Sequence, residues 1–124
     1  MSAHEIGTKL VALVKEGKNA EAINELYAAS IVSVEAGSPP GQDRAKHGID
    51  AVRAKHAWWQ ENHIIHSSEV HGPFPHGDDK FAVRYTYDIT AKHMGDMRFT
   101  MEEIGVYQVT EDKVVREEFF YAMG

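Results

Sequence analysis

Two pairs of glutamates interrupt otherwise apolar, strand-like text near the end of the chain. Glu102-Glu103 lies within MRFTMEEIGVYQVT and Glu117-Glu118 within KVVREEFFY. Neighbouring side chains on a strand point to opposite faces. One Glu of each pair should therefore meet the covered side of a sheet, and the other water or a partner subunit. A carboxylate on the covered side is costly unless it is paired or working. In an apolar cavity its pKa rises toward neutrality, which suits a general acid or base. On the last strand Val115, Glu117, Phe119 and Tyr121 share a face; on the one before, Met97, Phe99, Met101, Glu103 and Tyr107 do. Glu103 and Glu117 are accordingly the inward candidates for catalysis. The competing reading turns them to solvent, or to Arg84, Arg98 or Arg116 across the sheet.

Other residues are weighed in the same way. Asp88 ends a tyrosine-rich strand and Glu35 ends the first strand beside a Pro/Gly loop, so both are candidates for the mouth of a cavity, Glu35 as a substrate contact and Asp88 as a catalytic group that, like Tyr121 or His56, could hold a developing oxyanion by hydrogen bonds. Asp88 alternates with Tyr87 and Ile89, which also permits an outward position. His56 shares a helical face with Val52 and Trp59 and should point at the sheet, as a catalytic group or as a satisfied core histidine. His71 lies mid-strand, lining a pocket or on the surface. Trp59, Tyr85, Phe119 and Tyr121 are candidates for an aromatic wall around a flat ligand, or simply for the core. Eight histidines raise the question of a metal. His66, His71 and His76 are five apart, which reverses the face of a strand at each step, and there is no H-E-x-x-H and no Cys. No metal site is expected. The chain also has no Gly-rich phosphate loop, G-x-S-x-G elbow or Cys nucleophile, so neither covalent catalysis nor a cofactor is expected.

The elements that must position these residues follow from the pattern. Ser2 to Glu16 reads as a helix, with Ser2 and Glu5 as a capping box and Gly17 as its stop. A second helix starts near Asn19, with Ile23, Leu26 and Tyr27 as its stripe. Ala29 to Glu35 is β-branched and strand-like, and Gly37 to Gly41 is a loop. His47 to Asn62 reads as a third helix. Strands follow at Ile64 to Phe74, at Lys80 to Lys92, and on either side of a turn at Glu111-Asp112 within Met97 to Tyr121. Helices followed by a run of strands predict an α+β fold, with a curved antiparallel sheet wrapped around the N-terminal and inserted helices and a pocket between them.

Composition sets the outer limits. The 124 residues suit one domain, 1–124, and 43% hydrophobic with 26% charged residues is ordinary for a folded chain. A net charge of -6 without a basic stripe argues against nucleic acid as a partner. No apolar run approaches transmembrane length, and no basic segment with a long apolar run opens the chain, so neither membrane nor signal peptide is expected. The absence of Cys fits a cytoplasmic protein.

Glu25-Leu26-Tyr27 leading into a strand, His47-Gly48-Ile49-Asp50-Ala51-Val52 opening the third helix, and Tyr107 to Val109 followed by the turn and Lys113-Val114-Val115-Arg116-Glu117 resemble the SnoaL-like group of the nuclear-transport-factor-2-like (ketosteroid isomerase-like) superfamily. The usual Asp-Gly of that turn is Glu111-Asp112 here. The resemblance implies a conical α+β barrel with a central pocket and, in many members, a homodimer. It implies activities such as polyketide cyclisation, ketosteroid isomerisation, dehydration or epoxide hydrolysis, or ligand binding alone. The family's polyketide cyclases carry an acid near the end of the final strand, where Glu117 is the nearest match. Fold alone does not fix the reaction. The expectation is a cofactor-independent proton-transfer enzyme acting on a small hydrophobic molecule. The alternatives are a non-catalytic binding module and a dimeric structural domain.

Overall fold

The protein, seen in a computed structural model that describes residues 1–122, opens with helix α1, Ala3–Lys15. Its capping box is formed: Ser2 Oγ accepts from the Glu5 amide at 3.1 Å, and Glu5 Oε1 from the Ser2 amide at 3.2 Å. Gly17, at φ 75°, ends it. The amides of Gly17 and Lys18 return to the carbonyls of Val14 and Leu13, a pattern that closes the last turn. Helix α2, Asn19–Leu26, runs straight into strand β1, Tyr27–Val34. Tyr27 is thus the first strand residue and not part of the α2 stripe, because the turn to extended backbone falls there, at ψ 138°. Strand β2, Ala45–His47, is a three-residue strand the sequence did not suggest, and it takes His47 from the start of the expected third helix. Helix α3 then spans Ile49–Asn62, after Gly48 at φ 89°. Strands β3, His63–His76, β4, Lys80–Ala91, β5, Met97–Thr110, and β6, Lys113–Phe120, complete the chain.

The sheet order is β2-β1-β6-β5-β4-β3. β1 and β6 run parallel and all other neighbours antiparallel. The fold is the expected α+β cone: three helices against a curved, unclosed six-stranded sheet. Strands of 12 to 14 residues are long enough to curl. Register shifts at Ile65/Ser67 and His71/Phe74 in β3 and at Gln108/Val109 in β5 add bend and twist. The concave face closes over Ile6 and Leu10 of α1, together with Ile31, Phe81, Val83, Tyr107 and Val114. Each such side chain contributes about 1.5–3 kcal/mol by leaving water. No helix among the described residues is long and apolar enough to cross a membrane.

α1 crosses the sheet at Gly7, where only a hydrogen fits. A Cβ there would lie 2.8 Å from Pro73 Cβ and 3.0 Å from the Phe81 ring. Ala normally gains about 1 kcal/mol over Gly inside a helix. Here overpacking against a proline and a fully buried ring, costing roughly 1–3 kcal/mol, outweighs it. Gly7→Ala is therefore expected to lower stability, read as a reduced urea midpoint with an unchanged m-value.

Candidate functional site

The far end of the cone holds a cavity of about 1420 Å³. β5 and β6 supply its two acids. Glu103 and Glu117 face inward, while their neighbours face out and are paired: Glu102 with Arg84 at 3.0 Å and Glu118 with Arg116 at 3.1 Å. Glu117 is 3% exposed. Tyr27 Oη lies 2.7 and 3.1 Å from its two carboxyl oxygens and donates one hydrogen bond to them. Ser33, its register partner on β1, is fully buried beside it. Burial raises the Glu117 pKa to about 7, against the opposing pull of the Lys55 ammonium and the Tyr27 and Ser33 hydroxyls. Glu103 sits opposite Tyr85 in the β4–β5 register. It also rises to about 7, from burial first and then from the charges of Glu35 and Glu117. Among the described residues no donor or cation is bonded to Glu103, so its carboxylate is left to the cavity.

Lys55 of α3 reaches the same space. Its Nζ lies 2.7 Å from Glu35 Oε1, donates to Ser33 Oγ, and stands 5.3 Å above the Phe119 ring. Tyr121 Oη donates to the other oxygen of Glu35 at 3.0 Å, which ties the segment after β6 to the end of β1. On the floor the Tyr85 and Tyr107 hydroxyls bond to one another. Two hydroxyls carry two protons and the bond between them uses one, so one O–H remains to donate to a ligand. Gly105 makes room for this pair: a Cβ there would stand 2.9 Å from the Tyr107 ring. Toward the mouth, Trp59 stacks on His63 at 4.4 Å and tilts against Tyr87 at 5.6 Å. His63 Nδ1 donates to the Trp59 carbonyl at 2.7 Å, fixing its ring at the end of α3.

The sequence matches the SnoaL-like domain over residues 1–121. This chain belongs to the SnoaL-like family. A solved structure from Mesorhizobium loti, named a candidate SnoaL-like polyketide cyclase with carbohydrate phosphatase in brackets, is 40% identical, with a TM-score of 0.90 over 98% of this chain and 100% of that one. A candidate isomerase from Bacillus subtilis superposes with a TM-score of 0.79 at 14% identity, covering 98% and 90% of the two chains. An NTF2-like protein of unknown function from Burkholderia pseudomallei does so at 0.74 and 18%, covering 98% and 92%. The last two share the fold alone. No curated protein matches the chain.

In this SnoaL-like domain Glu35, Glu103, Glu117, His56, Trp59, Tyr85, Phe119 and Tyr121 all line the cavity. Asp88 and His71 do not. Asp88 points to the outer face of β4, where Arg98 grips it at 2.9 and 3.0 Å and holds its pKa below the usual range. The inward positions of that strand are Phe81, Val83, Tyr85 and Ile89, of opposite parity. His71 is exposed beside Glu69 for the same reason, since Val70 takes the inward position. His56 Nε2 is buried without a hydrogen-bond partner, and burial lowers its pKa, with the Lys55 charge adding to the effect. The sequence reading missed Lys55 and Tyr27. Lys55 lies three residues after Val52 and four before Trp59, on the apolar stripe of α3, and a charge in such a stripe is the signal. No group of three His, Cys, Asp or Glu among the described residues could hold a metal ion.

The raised acids make stability depend on pH. Below the ordinary Glu value of 4.5, folded and unfolded chains both hold the Glu117 proton. Between there and about 7 only the folded chain keeps it, so stability falls as pH rises through this window and levels off above it. Glu117→Gln removes that dependence. Urea unfolding at about pH 5 and about pH 8 should show a smaller loss for the variant than for the wild type, by roughly 2–3 kcal/mol.

Proposed function

We propose that this domain is a cofactor-independent proton-transfer enzyme, of isomerase, cyclase or dehydratase type, for a hydrophobic small molecule bearing a carbonyl group. The observation that carries the reading is a pair of inward carboxyl groups, Glu117 and Glu103, in one largely apolar cavity. Glu117 is the base. Tyr27 fixes its carboxyl, and a value near 7 leaves it able both to accept and to return a proton near neutral pH. The spare O–H of the Tyr85–Tyr107 pair would stabilise the enolate oxygen that forms as the α-proton leaves. The largely apolar walls lower the polarity around both groups and so strengthen both interactions. The Mesorhizobium loti relative, named as a polyketide cyclase candidate, is compatible with this chemistry.

α-Proton exchange of β-tetralone in deuterated buffer, followed by NMR, tests the proposal. Wild-type protein should accelerate exchange, and Glu117→Gln should lower the rate by about 100-fold or more. Glu118→Gln, on the outer face of the same strand, should leave it unchanged. Equal rates for wild type and Glu117→Gln would sink the assignment. A non-catalytic carrier, by contrast, would bind the ketone without accelerating exchange.

A second copy of the chain would pack on the outer sheet face. Ile104 and Phe120 are register partners there, 38% and 50% exposed, between the Arg84–Glu102 and Arg116–Glu118 ion pairs. Sedimentation at micromolar concentration should give a dimer, and Phe120→Asp a monomer. A wild-type monomer would refute this arrangement.

A further inference from the structure

Once Glu117 and Glu35 have their partners, one carboxyl group inside the cavity is left over. Glu117 is held by Tyr27, and Glu35 by Lys55 and Tyr121. Glu103 has no partner among the described residues, yet it faces the same space. Inside the cavity Glu35, Glu103 and Glu117 face one ammonium, that of Lys55; Glu102, also in the lining, is paired with Arg84, and at the rim Glu16 is paired with Lys18, which leaves Lys15 at the mouth. Of the three histidines in the lining, His56 and His63 are held toward their neutral form, by burial first, and His93 lies exposed at the mouth against Trp58 and His63. An anion is therefore disfavoured here, a phosphate ester included.

The surroundings of Glu103 are aromatic. Tyr85 is its register partner, Tyr87 stacks on Tyr85 at 5.9 Å, and Trp59 leans on Tyr87 at 5.6 Å. Aromatic faces beside a carboxylate attract cations, the more so when water is excluded. The protein already uses this chemistry on itself. Lys55 places a primary ammonium in the cavity, against the Glu35 carboxylate and above the Phe119 ring. Glu103, level with Tyr85 and close to the Tyr85–Tyr87 stack, is a second acid among aromatic rings, and no cation of the described residues is bonded to it.

We propose that the cavity takes a hydrophobic ligand carrying one protonated amine, its ammonium against Glu103 and the faces of Tyr87 and Trp59. The inference rests on the cavity being the substrate site and adds the charge of the substrate: an amino ketone rather than an acid or a phosphate. Glu103 is then the group that selects and orients the ligand, while Glu117 moves the proton.

Three probes of one shape decide it: naphthylmethylamine, naphthylmethanol and naphthoate, titrated calorimetrically into the whole protein at about pH 8, where both cavity acids are largely ionised. The amine should bind about tenfold or more tighter than the alcohol, and the carboxylate weakest. Glu103→Gln should erase the preference for amine over alcohol, and Glu118→Gln, on the outer face and outside the cavity lining, should keep it. Lys55→Met, which frees Glu35, should strengthen amine binding further. Equal affinity for amine and alcohol in the wild type, or tightest binding of naphthoate, would overturn the proposal without any variant being made. So would a preference that survives Glu103→Gln. These are binding measurements, so they stand apart from the exchange assay. Exchange without amine preference would leave the proton-transfer reading intact and remove this one, and amine preference without exchange would do the reverse.

Discussion

The arrangement of this cavity depends on keeping one carboxyl group, that of Glu117, out of water. An isolated carboxylate in such a place would cost several kcal/mol. The fold meets that cost in part with the Tyr27 hydroxyl, the buried Ser33 beside it and the Lys55 ammonium nearby, and in part by letting the group hold its proton up to about pH 7. The compromise leaves a group that is neither a fully paired ion nor a permanently neutral acid. A fully paired carboxylate would be too weak a base, and a surface one would be solvated and mobile. Burial with incomplete compensation gives the proton affinity that acid-base chemistry near neutrality needs.

The positions of the partners are consequences of the sheet. Tyr27 stands at the point where α2 gives way to β1, and Ser33 lies level with Glu117 because β1 and β6 run side by side in the same direction. α3 crosses behind them and delivers Lys55, His56 and Trp59 from one stripe. The long antiparallel strands supply the tyrosines. Alternation then sorts the acids: Glu103 and Glu117 inward, Glu102, Glu118 and Asp88 outward to arginines. One parity rule thus separates the carboxylates that serve as surface ion pairs from those that line the cavity.

Much of this was legible in the text. The alternation in KFAVRYTYDIT and the paired glutamates identify strands whose inward faces carry both phenols and acids. The capping box and Gly17 mark α1 to within a residue or two. What the sequence hid is long-range or small. Nothing local says that β1 lies next to β6, so the link between Tyr27 and Glu117, 90 residues apart, could not be read. Tyr27 looked helical because its spacing from Ile23 fits both helix and the end of one. β2 is too short to show a period. Glu111-Asp112 lacks the usual glycine, yet both residues take positive φ, 51° and 65°, so the hairpin keeps its tight turn with residues poorly suited to it. His71 and Asp88 were placed by general position along a strand, where parity decides.

The parallel pairing of β1 with β6 has a bearing on how the chain comes together. Antiparallel neighbours can zip up locally from their turns, but this contact joins positions as far apart as Tyr27 and Val114 and carries a large loop-closure penalty. During synthesis β6 leaves the ribosome after the other five described strands, so a nascent molecule can collapse α1 onto the β3–β4 hairpin before Glu117 exists. The cavity is therefore completed in one late event, the docking of β6 between β1 and β5. Until then β1 and β5 each present an unpaired edge, and it is in that interval that the chain is most open to pairing with the wrong partner.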